Sequence, residues 1–73
     1  MKQSFKKAIV LGAGGCIGSH LVKFLKKKDY HVVGVDLKYP EYDTTDADVF
    51  HLADLRDYKL VEKLLKEPFD EVY

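Results

Sequence analysis

Three observations point to an α/β chain built on a parallel β-sheet with helices on both faces. The runs Ala8-Ile-Val-Leu11 and His31-Val-Val-Gly-Val35 lack polar alternation, the texture of strands buried on both sides. Stretches with helical periodicity separate or follow such runs. The first run opens directly into a glycine cluster, Gly12-Ala-Gly-Gly-Cys-Ile-Gly18, which leads into the first of those helical stretches.

In chain order, residues 1–6 are a polar lead-in and strand one is expected over 7–11. Helix one follows over 16–28, with Ile17, Leu21, Phe24 and Leu25 recurring at i, i+4, i+7 and i+8 as its buried face. Lys23, Lys26, Lys27 and Lys28 gather in its C-terminal half, where positive charge suits the helix dipole. They read as a solvated helix end, since they lie at the wrong end to meet the glycine turn. Asp29 and Tyr30 turn the chain into strand two, 31–35. Residues 37–48 have no apolar periodicity and carry Pro40 and four acids, so a loop stands where a longer sheet of this kind often has a helix. Strand three spans 49–53. Helix two spans 58–66, with Asp57 as N-cap, Pro68 as the stop and Leu60, Val61, Leu64 and Leu65 as the buried face. Residues 69–73 begin a fourth strand that ends at Tyr73 before any turn signal, so it reads as cut rather than finished. The expected strand order is 3-2-1-4, with one helix on each face. That is the N-terminal portion of a Rossmann doubly wound parallel sheet, truncated in strand four, and residues 1–73 form a single domain of it.

The glycine turn carries the chemistry. Gly12, Gly15 and Gly18 sit at three-residue intervals, with Gly14 as an extra. The pattern is G-x-x-G-x-x-G, not G-x-G-x-x-G, because position 17 is Ile. Gly12 lets the chain leave the strand in a tight turn. Gly15 lets backbone N–H groups approach a phosphate, and Gly18 lets the helix pack closely. Unpaired N–H groups and the positive dipole end of the helix then face an anion. A glycine-rich turn with no ligand is the bland alternative.

Asp36 favours the ligand. It ends strand two and stands 18 positions after Gly18. A carboxylate there can accept hydrogen bonds from both hydroxyls of an adenosine ribose and would repel a 2′-phosphate, which argues for NAD over NADP. Lys38 lies close enough to soften that discrimination. An acid used only as a cap or turn residue is the competing reading. Tyr39 and Tyr42 are expected to pack on local surface, with contact to an adenosine as the alternative.

Composition sets the bounds. With 73 residues and 47% hydrophobic content, the chain can form one small globular core. Twelve basic and twelve acidic side chains balance, giving no electrostatic case for nucleic acid or an anionic membrane. No apolar run nears the roughly 20 residues of a membrane span, and no signal peptide is evident. One cysteine allows no internal disulfide and fits a reducing, cytoplasmic setting. Cys16 and His20 are four apart, too few ligands for a closed zinc site. Cys16 at a helix start is a candidate reactive thiol, without an aligned base. His31 and His51 read as structural. Glu41, Asp43, Asp46 and Asp48 read as solvent-exposed loop acids.

The stretch Val10-Leu-Gly-Ala-Gly-Gly-Cys-Ile-Gly-Ser-His-Leu21 resembles the start of the NAD-dependent epimerase/dehydratase family, the extended short-chain dehydrogenases. Their pattern is T-G-x-x-G-x-(F/I/Y)-G-S-x-L. Gly12, Gly15 and Gly18 fall on its glycines, Asp36 on its ribose acid, and Asp54-Leu55 on the acid-plus-apolar pair that brackets the adenine. Residues 34–42, 50–56 and 69–73 resemble its sugar-nucleotide epimerases more narrowly. Leu11 stands where the family usually has Thr, and Cys16 where it usually has Phe or Tyr; neither removes a backbone donor. The resemblance implies a cofactor-binding set of Gly12, Gly14, Gly15, Cys16, Ile17 and Gly18 in the turn, Asp36, Leu37 and Lys38 after strand two, and Asp54 and Leu55 after strand three.

The resemblance also implies a catalytic Ser/Thr and a Tyr-x-x-x-Lys. No tyrosine here precedes a lysine by four, so no catalytic residue is assigned. The expected role is the adenosine- and pyrophosphate-binding part of an NAD-dependent sugar-nucleotide epimerase or dehydratase. The expected partners are a sugar-nucleotide substrate and a second copy of the full-length enzyme, with no nucleic acid and no membrane. Alone, 73 residues would be inactive and marginally stable, since so small a domain buries only about 60% of its unfolded surface. The alternatives are a stand-alone nucleotide-binding module, an NADP-dependent reductase of the same superfamily, and an α/β fragment with no ligand.

Overall fold

The computed structural model describes residues 6–40 and 44–73. Four strands, β1 (Lys7–Leu11), β2 (His31–Asp36), β3 (Val49–Leu52) and β4 (Glu71–Val72), form one parallel sheet in the order β3-β2-β1-β4. Two helices, α1 (Cys16–Lys27) and α2 (Tyr58–Leu64), make the crossovers into β2 and β4. The expected α/β architecture and strand order are therefore present. Asp36 extends β2 by one residue, and α2 is shorter than expected, closing at Leu65 before Pro68. β4 proper has two residues, but ladder hydrogen bonds run on either side, from Asp70 N to Lys7 O and from Leu11 N to Tyr73 O.

Strand alternation sorts the core into two layers. Ala8, Val10 and Val32 point to one face, where Ala13, Val22 and Leu25 cover them. Ile9, Val33 and Val35 point to the other, packed by Leu55, Leu64 and Phe69. So α1 covers one face and α2 the other. The expected buried stripe of α1 needs correction. Ile17 is 84% and Phe24 54% exposed, while Val22 and Leu25 are buried. Gly18, Leu21, Val22 and Leu25 form the stripe that meets the sheet, because the close approach of Gly18 to the turn (below) sets the rotation of the helix. On α2, Leu60, Val61 and Leu64 are half-buried and Leu65 is exposed, so the expected face is only partly covered.

The N-terminal edge of the sheet is closed by side chains. α1 ends with Asp29 in the left-handed region (φ 64°), a conformation Asp tolerates, and the Tyr30 N–H returns to the Leu25 carbonyl. Lys26 Nζ bonds Tyr30 O at 2.9 Å and both oxygens of Asp48 at 2.9 and 3.0 Å. Asp48 also accepts the Val32 N–H at 2.8 Å. Partial burial opposes its charge. The Val32 N–H and the Lys26 ammonium outweigh that and hold its pKa below the ordinary value. Asp48 was expected to be a solvated loop acid; it is exposed, but it ties the loop to β2 and α1. Asp46 is exposed. Glu41, Tyr42 and Asp43 lie outside the described residues. Tyr39 stacks on Phe50 with ring centroids 4.8 Å apart, as the local-surface reading expected.

Tyr30 Oη donates to Glu71 Oε2 at 2.8 Å, and the Tyr73 hydroxyl donates to the other oxygen. The hydrogen bond to Glu71, then partial desolvation and the Glu71 charge, push the Tyr30 phenol up to about 12. A raised folded-state pKa means the contact stabilises the fold fully below about pH 10, the ordinary tyrosine value. That contribution is lost as pH rises toward 12. The Tyr30→Phe variant should melt below the wild type at pH 8, and the gap should narrow between about pH 10 and 12. Melts followed by circular dichroism check this.

Candidate functional site

Gly12, the first residue after β1, has φ 86°, a conformation that glycine alone adopts without strain. Gly12 and Ala13 both donate N–H to the Val35 carbonyl, at 2.7 and 3.1 Å, which anchors the turn to the end of β2. The chain then doubles back so that a Cβ on Gly18 would lie 2.1 Å from the Gly12 carbonyl oxygen. The first turn of α1 therefore rests directly on the backbone of the bend, the close packing expected of Gly18.

Gly15 is the N-cap of α1, with extended backbone, and no side chain caps the helix. There is no acid in the first turn. Gly15 and Cys16 are exposed, as is Ile17. A Cβ on Gly15 would meet nothing closer than the Gly12 oxygen at 3.5 Å, an ordinary contact. The helix thus begins with first-turn N–H groups that no side chain satisfies, at its positive dipole end. Such an end is suited to an anion.

Asp36, at the end of β2, reaches into this turn. Its Oδ2 accepts the Gly14 N–H at 2.9 Å, and its Oδ1 accepts the Leu37 N–H at 2.6 Å. Leu37 and Lys38 are exposed beside it, and the Lys38 carbonyl lies over Gly14. Gly14 stood outside the three-glycine spacing, and its part in holding Asp36 was not foreseen. The only signal was its lack of a side chain beside the motif.

Asp54 and Leu55 follow β3 at the same edge of the sheet. The Ala53 N–H bonds the Asp36 carbonyl at 2.8 Å, so this segment leaves the sheet beside Asp36. Leu55 packs on the β2 face that α2 covers. Asp54 is gripped by Arg56 through Nε at 3.0 Å, Nη2 at 2.8 Å and the backbone N–H at 2.8 Å. The Arg56 side chain, then its backbone N–H, hold the Asp54 carboxyl down to about 2. Arg56 was not among the expected site residues; the Asp-x-Arg spacing was the available signal. At the next turn, Asp57 caps α2 as expected, accepting the Leu60 N–H at 3.2 Å.

The carboxyl ends of β1, β2 and β3 therefore bring together the glycine turn, Asp36 with Leu37 and Lys38, and Asp54 with Leu55. In open α/β sheets this edge is where ligands bind. Cys16 and His20 gain no third metal-ligating partner; among the described residues no group of three such side chains is close enough to hold a metal. No helix among them is long and apolar enough to cross a membrane.

A parallel 3-2-1-4 sheet with a glycine bend at the start of α1 and an acid ending β2 is a Rossmann-like unit. The chain belongs to the NAD dependent epimerase/dehydratase family, whose model matches residues 8–73. It is 41% identical over 71 residues to a GDP-mannose 3,5-epimerase of Arabidopsis thaliana, covering 92% of this chain and 18% of that protein. It is 43% identical over 49 residues to GDP-mannose 3,5-epimerase 1 of Oryza sativa subsp. indica, covering 64% of this chain and 13% of that one. A GDP-mannose 4,6-dehydratase of Vibrio cholerae is 32% identical, over 93% of this chain and 22% of its own length. The chain thus spans about a fifth or less of these relatives.

Two outcomes test the geometry. Gly18→Ala should cost about 1–3 kcal/mol despite the better helix propensity of Ala, because its Cβ meets backbone. Gly15→Ala should stay within about 1 kcal/mol of wild type. Urea unfolding measures both. Separately, Arg56→Gln should return the Asp54 pKa from about 2 toward the ordinary carboxylate range, followed by carbon NMR of the carboxyl. In the wild type the Asp54–Arg56 contact is present above that range and lost as pH falls toward 2.

Proposed function

We propose that this chain is the adenosine- and pyrophosphate-binding part of an NAD-dependent sugar-nucleotide epimerase or dehydratase. Family membership and the activities that the relatives are named for support the reaction class. The feature that most supports the binding role is the pairing of an uncapped helix start at a glycine with an acid hydrogen-bonded to the same turn.

The residues fit the cofactor by steric and electrostatic criteria. A diphosphate would meet the first-turn amides of Cys16, Ile17 and Gly18 at a glycine N-cap that no side chain caps. Gly12 and Gly18 fold the backbone that presents those amides. Asp36 takes the adenosine ribose hydroxyls, flanked by Leu37 and Lys38. Asp54 and Leu55 border the adenine, Asp54 as an acceptor kept ionised by Arg56 and Leu55 as an apolar wall. When bound, NAD supplies a hydride acceptor that oxidises a sugar carbon and can return the hydride later. This chain's residues fix the cofactor's adenosine half. Proton transfer at the sugar is not assigned to any of residues 1–73. The same reading takes a sugar nucleotide as substrate, a dimer as the assembly of the full-length enzyme, and the cytoplasm as its setting.

Binding of NAD, NADP and ADP to the chain, measured by calorimetry, tests the assignment. NAD and ADP should bind, NADP more weakly. Gly15→Ala should stay within about 1 kcal/mol of the wild type in the free chain and lose about tenfold or more in affinity for NAD and ADP alike. A Gly15→Ala chain that binds as the wild type does would remove the pyrophosphate from this turn. A wild-type preference for NADP would replace the NAD assignment with the reductase alternative.

A further inference from the structure

Asp36 is not free to turn, and the reason lies in Gly14. Each carboxylate oxygen accepts one backbone N–H, Oδ2 from Gly14 at 2.9 Å and Oδ1 from Leu37 at 2.6 Å. An ionised carboxylate has about four lone-pair sites, so each oxygen keeps acceptor capacity for one more donor. Gly14 is buried, and a Cβ there would lie 2.1 Å from the Lys38 carbonyl oxygen and 3.1 Å from Asp36 Oδ2. No side chain fits at position 14 without displacing the backbone of 36–38. Yet the three-glycine spacing of the turn does not call for glycine at this position.

We propose that Gly14 is a specificity-determining positioning residue, whose bare amide locks the Asp36 carboxylate so that its two remaining acceptors meet a vicinal cis-diol. The proposal rests on the nucleotide-binding reading above and adds the residue on which discrimination between NAD and NADP depends. A loosely held carboxylate can rotate away from a 2′-phosphate at little cost. A locked one can do so only by leaving the buried Gly14 N–H without a partner, which is expensive. The lock therefore turns a nearby negative charge into a fixed obstacle to the 2′-phosphate, a repulsive device as much as an attractive one. It also aligns two acceptors in advance, so less ordering is needed when the diol arrives.

The test measures dissociation constants for NAD and NADP in the wild-type chain, Gly14→Ala, Asp36→Glu and Gly15→Ala, with amide hydrogen exchange at Gly14. Gly14→Ala should lower the NADP-to-NAD ratio of dissociation constants by about tenfold, mainly by weakening NAD. Gly15→Ala should weaken both cofactors and leave that ratio in place. Asp36→Glu keeps the charge but carries the carboxylate off the Gly14 amide. It should speed Gly14 exchange and lower the ratio similarly, and it decides the matter if Gly14→Ala does not fold. An unchanged ratio in whichever of these two variants folds overturns the role of Gly14 while leaving the nucleotide site standing. A wild-type chain that binds neither cofactor overturns both.

Discussion

Backbone runs against backbone twice in the bend between β1 and α1, and the arrangement of the site follows from how close it comes. The Gly12 carbonyl lies where a Gly18 Cβ would be, and the Lys38 carbonyl where a Gly14 Cβ would be. Side chains at these points would push α1 and the segment after β2 outward. Val22 and Leu25 would then draw back from Val10 and Val32, and the main contact between α1 and the sheet would weaken. The same closeness lets Asp36 reach the Gly14 amide. The packing of the core and the geometry of the site are thus set by one constraint, the absence of Cβ atoms where two backbones meet.

The two edges of the sheet divide the work. At the amino ends of the strands, side chains satisfy backbone and bind elements together. Asp70 accepts the Lys7 N–H at 2.7 Å, Asp48 joins Lys26 to Val32, and Glu71 joins Tyr30 to Tyr73. At the carboxyl ends, no side chain caps α1. Asp36 and Asp54 hold backbone amides at this edge too, but the first-turn amides of α1 have no side-chain cap. A strand order that reverses beside β1 places that edge at a topological switch point, where two crossovers leave in opposite directions.

The elements of the fold were legible because each depends on local signals. Unbroken apolar runs marked β1 and β2, the glycine cluster marked the bend, and Asp57 marked the start of α2. The α1 stripe was misread at Ile17 and Phe24. Periodicity alone allowed a face starting at Ile17, but the Gly18–Gly12 contact rotates the helix so that Val22 and Leu25 face the sheet. Asp48 is exposed, as its place among loop acids suggests, but its bonds are not legible there. Its partners Lys26 and Val32 lie 22 and 16 positions away, and only the fold brings them together. Leu37 and Asp54 entered by resemblance rather than by any local pattern, Lys38 by its place beside Asp36, and the contacts of Asp36 with Gly14 and of Asp54 with Arg56 are formed only in the folded chain.

A row of glycines in a sequence looks like one requirement and is several. Gly12 is needed for its dihedral angle, and Gly14 and Gly18 for clearance from other backbone. Gly15 is different: nothing in the folded chain crowds it, and its backbone angles suit any residue. What the fold asks of it is only the modest preference of an N-cap for glycine over most side chains. A side chain there would begin at the start of α1, its Cβ in ordinary contact with the Gly12 oxygen at 3.5 Å. Gly12, Gly14 and Gly18 therefore build the bend, whereas Gly15 is the position at which the bend tolerates a side chain.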